Sequence, residues 1–135
     1  MEKIDYGRLK YQVLFILKEE SPLTQKEIVE KLANYYHLTE EERTENYAKR
    51  PYDKVFYKIV ASNEEHLRFA GLEEFTLQGH RITQQGLNAL NENRGTISYS
   101  YLKKFPEYRK WVSEGHKKKA NGNEIIDFDD LCKTL

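Results

Sequence analysis

One run decides most of what this chain can become. Phe56, Val60, Asn63, Leu67 and Ala70 fall on one stripe at helical spacing, flanked by Val55 and Ile59, and at Gly71 the helical period stops. Directly after it come Leu72-Glu73-Glu74-Phe75-Thr76-Leu77, then Gln78-Gly79-His80, then Arg81-Ile82-Thr83. Two short β-prone runs around a glycine-bearing segment predict a hairpin, its turn supplied by Gly79. Thr83 then stands as the N-cap of a last core helix, Gln84 to Asn91, that buries Leu87 and Leu90. The long helix is expected over about 52–70, with Pro51 fitting its first turn. A helix of that length feeding straight into a hairpin leaves few folds to choose from.

The upstream pattern narrows the choice further. Leu9, Val13, Ile16 and Leu17 recur at helical spacing from about Arg8 to Glu19, and Ser21-Pro22 stops that helix. Thr24-Gln25-Lys26-Glu27 has the form of a capping box and opens a short amphipathic helix carrying Ile28, Leu32 and Tyr35 or Tyr36. A second such box, Thr39-Glu40-Glu41-Glu42, predicts a brief acidic helix that ends before the polar stretch from Asn46 to Arg50. The order is helix, helix, small helix, long helix, hairpin, helix. That is a mainly α fold with a small β-hairpin: a winged helix-turn-helix with an inserted short helix and a C-terminal helical extension.

At 135 residues, 39% of them apolar, the chain can form one such domain and an appendage. The reading assigns residues 1–92 to the winged helix, 93–119 to a helical, basic and aromatic extension, and 120–135 to an acidic tail or linker. In the extension Tyr99, Leu102, Phe105, Tyr108, Trp111 and Val112 recur every three to four residues, and Pro106 divides them into two short helices folding back on the core. Lys117-Lys118-Lys119 with Ala120-Asn121-Gly122-Asn123 reads as a solvated linker, and Ile125 to Leu131 as a small docking segment. The longest apolar run is the five residues Val13 to Leu17, far below the roughly 20 that cross a bilayer, so no membrane span is expected. The start, Met1-Glu2-Lys3-Ile4-Asp5-Tyr6, shows no secretory pattern, and a cytoplasmic location is the expectation.

The formal net charge is zero, but it is segregated. Between Arg43 and Lys58, five basic residues (Arg43, Lys49, Arg50, Lys54, Lys58) face two acidic ones (Glu45, Asp53), and between Tyr101 and Lys119 seven basic residues face two acidic ones. Read as a recognition helix, the long helix carries Lys54, Tyr57, Lys58 and Ala61 along its polar stripe, with Ser62 at the margin. Lys49, Arg50 and Tyr52 stand near its amino terminus, where free amides favour phosphate, and the wing brings Gln78, His80 and Arg81. These residues are the candidate contacts to double-stranded DNA. The plainer reading is an ordinary charged helix whose patch is diluted by Glu64, Glu65 and Glu73. Two rivals stay open: a protein-interaction or dimerisation winged helix acting as a transcriptional regulator, its homodimer built on the aromatic extension, and single-strand binding through Tyr99, Tyr101 and Tyr108.

Catalytic patterns are poor. Asp127, Asp129 and Asp130 are followed by no Glu-x-Lys or Gln-x-Lys, as a metal-dependent nuclease would need, and read as a solvated acidic tail. Cys132 with His116 upstream reads as a free thiol, and one cysteine makes no intramolecular disulfide. His37, His66, His80 and His116 show no metal-ligand spacing, so neither a metal centre nor a cofactor is expected. His66 is expected to pack at the edge of the long helix, and His37 near a helix end.

The run Leu67-Arg68-Phe69-Ala70-Gly71-Leu72-Glu73, followed by Gly79-His80-Arg81-Ile82-Thr83-Gln84-Gln85-Gly86-Leu87, resembles the amino-terminal winged-helix domain of Mrr-type restriction endonucleases. Leu38-Thr39-Glu40-Glu41-Glu42-Arg43 is similar to that family's inserted segment, and Asn93 to Trp111, with Ile97, Leu102 and Phe105-Pro106-Glu107-Tyr108, resembles its linker toward the nuclease. The likeness covers roughly residues 9–119. It implies a domain that targets a nuclease domain or subunit to DNA within a restriction or defence system, and the nuclease part, with its metal-binding carboxylate, has no counterpart in these 135 residues. The chain itself is therefore expected not to be an enzyme. Glu64 and Glu65 depart from the family, which often carries basic or neutral residues there.

Overall fold

The computed structural model describes residues 4–120; the acidic tail, the docking segment Ile125 to Leu131 and Cys132 lie outside the described residues. Helix α1 (Tyr6–Glu19) opens where the Asp5 carboxylate accepts from the Arg8 amide at 3.1 Å, two residues before the apolar periodicity shows itself. Both capping boxes close as predicted. In front of α2 (Gln25–Tyr35), the Glu27 amide donates to Thr24 Oγ1 at 3.2 Å and the Thr24 amide to Glu27 Oε1 at 2.9 Å. In front of α3 (Glu40–Thr44), Thr39 and Glu42 repeat the exchange at 3.1 and 2.9 Å.

The next segment differs from expectation. Asn46–Tyr47 forms strand β1, Arg50–Lys54 forms β2, and the two pair antiparallel. Pro51 therefore sits in a strand, not in the first turn of a helix. The ring fixes φ and disfavours the helical region for Arg50 before it, and a two-stranded hairpin has an outer edge on which a missing amide hydrogen costs nothing. The long helix α4 (Val55–Phe69) accordingly starts three residues late, its first amide donating to Glu45 O at 2.8 Å. Gly71, at φ 78°, takes the left-handed turn at its exit.

Strands β3 (Glu73–Thr76) and β4 (Gly79–Ile82) form the wing, with Thr76 opposite Gly79 and Leu77-Gln78 as the turn, so Gly79 opens the second strand instead of making the bend. Leu23 adds a third rung, trading backbone hydrogen bonds with His80 at 3.0 and 2.7 Å. Thr83 caps α5 (Gln84–Glu92), and the extension forms α6 (Tyr99–Leu102) and α7 (Pro106–Ala120). The backbone of Lys117 to Lys119 continues α7 where a linker was expected; lysine and alanine are good helix formers and no proline intervenes after Pro106.

One apolar core joins Leu9, Val13, Leu14 and Leu17 of α1, Ile28 and Leu32 of α2, Phe56, Val60 and Leu67 of α4, Leu72, and Ala89 and Leu90 of α5. Leu87 is only half-buried. Ile97, Tyr101, Leu102 and Tyr108 of the extension belong to the same core. Among the described residues no helix is long and apolar enough to cross a membrane.

Gly86 shows how tightly the wing is sewn to the last core helix. A Cβ there would lie 2.1 Å from the Leu72 carbonyl oxygen and 2.6 Å from the Ile82 side chain, and a backbone atom cannot step aside. Gly86→Ala is expected to destabilise the domain by about 2–3 kcal/mol despite alanine's better helix propensity, read as a lower urea midpoint at unchanged m-value. An unchanged midpoint would mean that α5 can shift away from Leu72 and Ile82.

Candidate nucleic-acid interface

The basic residues read from the sequence gather at one edge, where the β1–β2 hairpin meets α4. Lys49 lies exposed in the hairpin turn, and the Arg50 guanidinium sits 4.6 Å from the centre of the Tyr47 ring. Lys54, exposed, occupies the cap position of α4 and makes no side-chain cap, while Tyr57 one turn on is 39% exposed. Lys58 is half-buried and stands 3.9 Å from Asp53. Tyr52 belongs to β2, and its side chain lies outside the described residues. Lys54 and Tyr57 also line a groove of about 380 Å³ against α2 and α3, whose rim carries Lys26 and Arg43 as well as Glu30 and Glu40.

Two of the expected contacts turn inward. Ser62 is buried and opens toward a cavity of about 600 Å³ on the opposite side of α4, lined also by Lys10, Asn63, His66 and the segment Thr96 to Tyr99. In that cavity Lys10 Nζ donates to Asn63 Oδ1 at 2.7 Å, and His66 Nδ1 meets the Tyr108 hydroxyl at 2.8 Å. Burial, with the charge of Lys10 adding to it, pushes the His66 imidazole down to about 3. His80 is buried too, because pairing with Leu23 on one side and Phe75 on the other sets the strand register that faces its ring into the domain. It is withdrawn from any backbone running past the wing. Gln78 and Arg81 do point to solvent.

Sequence reasoning passed over Leu77 and Phe75. Leu77 at the wing tip is fully exposed and Phe75 largely so. The available signal for Leu77 was an apolar residue in the two residues before Gly79, the tip of the expected hairpin, which projects away from the core.

The aromatic residues of the extension find partners within the chain. The Trp111 ring stacks on Phe69 at 4.4 Å between centroids, and Tyr108 and Trp111 both flank His66. The surface read as a dimerisation seam is in large part spent on α4.

The acids expected to dilute the patch are the decisive placement. Glu64 and Glu73 are 0% and 2% exposed and lie beneath the wing, and only Glu65 of the three reaches solvent in part. His80 Nδ1 lies 3.0 Å from Glu73 Oε1 and 3.5 Å from Glu64 Oε1, with an Arg68 guanidinium nitrogen 4.0 Å from Glu73 Oε1. Burial pushes the Glu64 carboxyl up to about 8, the Glu73 charge adding to this while His80, Gln25 and Arg68 draw it back. Burial likewise pushes Glu73 up to about 8 against the pull of Arg68. The His80 imidazole is pushed down by burial, partly restored by Glu64 and lowered further by Arg68. With these carboxyls inside, two of the three acids expected to dilute the patch are withdrawn from the surface, and Asp53 beside Lys58 is the acid that remains between Lys49 and Lys58.

Residues 6–92 match the family described as the Mrr N-terminal domain. No curated protein and no solved structure matches the chain.

Proposed function

The chain belongs to the Mrr N-terminal domain family, and from that premise we propose that it binds double-stranded DNA and serves as the recognition domain of a restriction or defence system. The observation that carries this reading is the basic surface where the β1–β2 hairpin meets α4, on which Lys49, Arg50, Lys54 and Lys58 outnumber Asp53, while Glu64 and Glu73, two of the acids expected to dilute the patch, are turned inward. In this reading the lysines meet phosphates, the Tyr57 hydroxyl meets a phosphate or base edge, and Gln78 and Arg81 on the wing follow the neighbouring backbone. Leu77 at the tip suits an apolar contact in a minor groove. Ser62 and His80 are left out because both are buried. A nuclease domain or subunit is the partner that such a targeting domain would direct.

The test is binding of the purified chain to a mixed duplex pool, methylated and unmethylated, across a salt series. The wild type is expected to bind with a steep salt dependence, and Lys54→Ala/Lys58→Ala to weaken binding uniformly across sequences and to flatten the log–log slope by about 1 per lysine removed. Preference for the methylated pool would favour restriction targeting. Absence of binding at low salt would overturn the DNA reading and favour a protein partner.

A further inference from the structure

Three ligating side chains from three different elements converge beneath the wing: Glu64 from α4, Glu73 from β3 and His80 from β4. We propose that Glu64, Glu73 and His80 form a binding site for one divalent cation of the zinc type, which ties the wing to the long helix. One ligand atom from each residue lies within 4.8 Å of the other two. A tetrahedral zinc with bonds of about 2.0–2.1 Å sets its ligands roughly 3.3 Å apart. The distances from His80 Nδ1, 3.0 Å to Glu73 Oε1 and 3.5 Å to Glu64 Oε1, fall on either side of that value.

The second observation is independent of the clustering. Both carboxylate oxygens of Glu64 and Oε2 of Glu73 are buried with no hydrogen-bond partner. Protein interiors rarely leave such atoms unpaired, because a buried polar atom has given up its water without a replacement, and the cost rises when it is charged. A cation bound among them would satisfy these oxygens, with the buried Gln25 amide, which faces Glu64, at the edge of the cluster. The donor set of one imidazole and two carboxylates suits zinc or a neighbouring first-row ion, whereas calcium and magnesium call for a larger shell of oxygens. The scaffold is rigid on the histidine side, since His80 is held through its own backbone by both hydrogen bonds to Leu23. Glu73 Oε1, the oxygen nearest His80, also has the Arg68 guanidinium 4.0 Å away, and Glu73 Oε2 is the oxygen left without a partner. The competing occupant is a proton shared between the two carboxyls. The proposal stands on this geometry alone and does not depend on the DNA reading.

The experiment uses the whole 135-residue chain freed of metal by a chelator and then titrated with Zn²⁺ by calorimetry, with Co²⁺ as a coloured substitute and thermal unfolding in parallel. The expected result is one equivalent bound, a tetrahedral Co²⁺ absorption, and a rise in Tm of at least about 5 °C at a hundredfold excess over Kd. Glu64→Gln and His80→Gln, each checked for native far-UV circular dichroism, are expected to lose all three. Glu73→Gln stands in if His80→Gln fails to fold, because the amide keeps the shape of the acid. A wild-type chain that binds no equivalent, or variants that keep it, would overturn the proposal. A higher metal-free Tm for Glu64→Gln together with no response of the wild type to Zn²⁺ would assign the site to the shared proton instead.

Discussion

Cut after residue 92, where the family match ends, the chain is expected to lose most of its folding stability. Ile97, Tyr101, Leu102 and Tyr108 are all at most 8% exposed and share one core with α1 and α4. Each such side chain contributes about 1.5–3 kcal/mol by leaving water, against a total stability of about 5–15 kcal/mol for a domain of this kind. The polar links go as well: the Ile97 amide donates to Gly7 O at 2.9 Å, and His66 would keep a buried ring nitrogen without Tyr108. Urea titrations of residues 1–92 and 1–120, followed by circular dichroism, are expected to show a cooperative transition only for the longer chain. In the 135-residue chain Tyr108→Ala is expected to cost about 3–5 kcal/mol on its own. A fragment 1–92 that unfolds cooperatively at the parent midpoint would show that the extension merely rests on a self-sufficient domain.

What the sequence made legible is what local chemistry decides. Thr24 with Glu27 and Thr39 with Glu42 announce helix starts because both halves of each capping box lie within four residues. The stripe from Phe56 to Ala70, the exit at Gly71 and the cap at Thr83 are equally local, and the winged order follows from them. Pro51 misled because its fixed φ suits a helix start and an edge strand alike, and only the pairing of Arg50 with Tyr47 decides between them. Of the expected DNA contacts, Lys49, Lys54, Tyr57, Gln78 and Arg81 lie exposed, while Ser62 and His80 do not. The direction of His80 depends on Leu23, a partner 57 positions away that no spacing rule anticipates. The same holds for the cluster beneath the wing: Glu64, Glu73 and His80 are nine and seven positions apart on three elements, a spacing that matches no ligand motif, and they meet only once the hairpin folds onto α4.

The two buried titrating sites are expected to pull metal-free stability in opposite directions with pH. His66, packed among Tyr99, Tyr108 and Trp111 with Lys10 and Asn63 beside it, is held neutral with its imidazole down to about 3, against about 6.5 in the unfolded chain. Between those values the unfolded state takes a proton that the fold refuses, so stability falls as pH drops, by about 1.4 kcal/mol per unit. The Glu64 and Glu73 carboxyls, facing His80, Arg68 and Gln25, titrate as a pair raised above the ordinary carboxylate range. There the fold keeps protons that the unfolded chain has released, and stability falls as pH rises from about 4.5 toward 8, again by about 1.4 kcal/mol per unit for each proton retained. Urea midpoints measured in chelator from pH 4 to pH 8 are therefore expected to be highest on the acid side of neutrality and to decline toward pH 8. In Glu64→Gln/Glu73→Gln the decline toward pH 8 should vanish, since an amide has no proton to lose, and the acid loss governed by His66 should then extend up to about pH 6.5. His66→Gln should make that acid limb shallower, leaving the share of His80, whose imidazole burial also pushes down. A wild type whose stability rises steadily from pH 5 to pH 8 in chelator would show that the carboxyl pair is ionised in the fold, and with it that something other than a proton balances its charge.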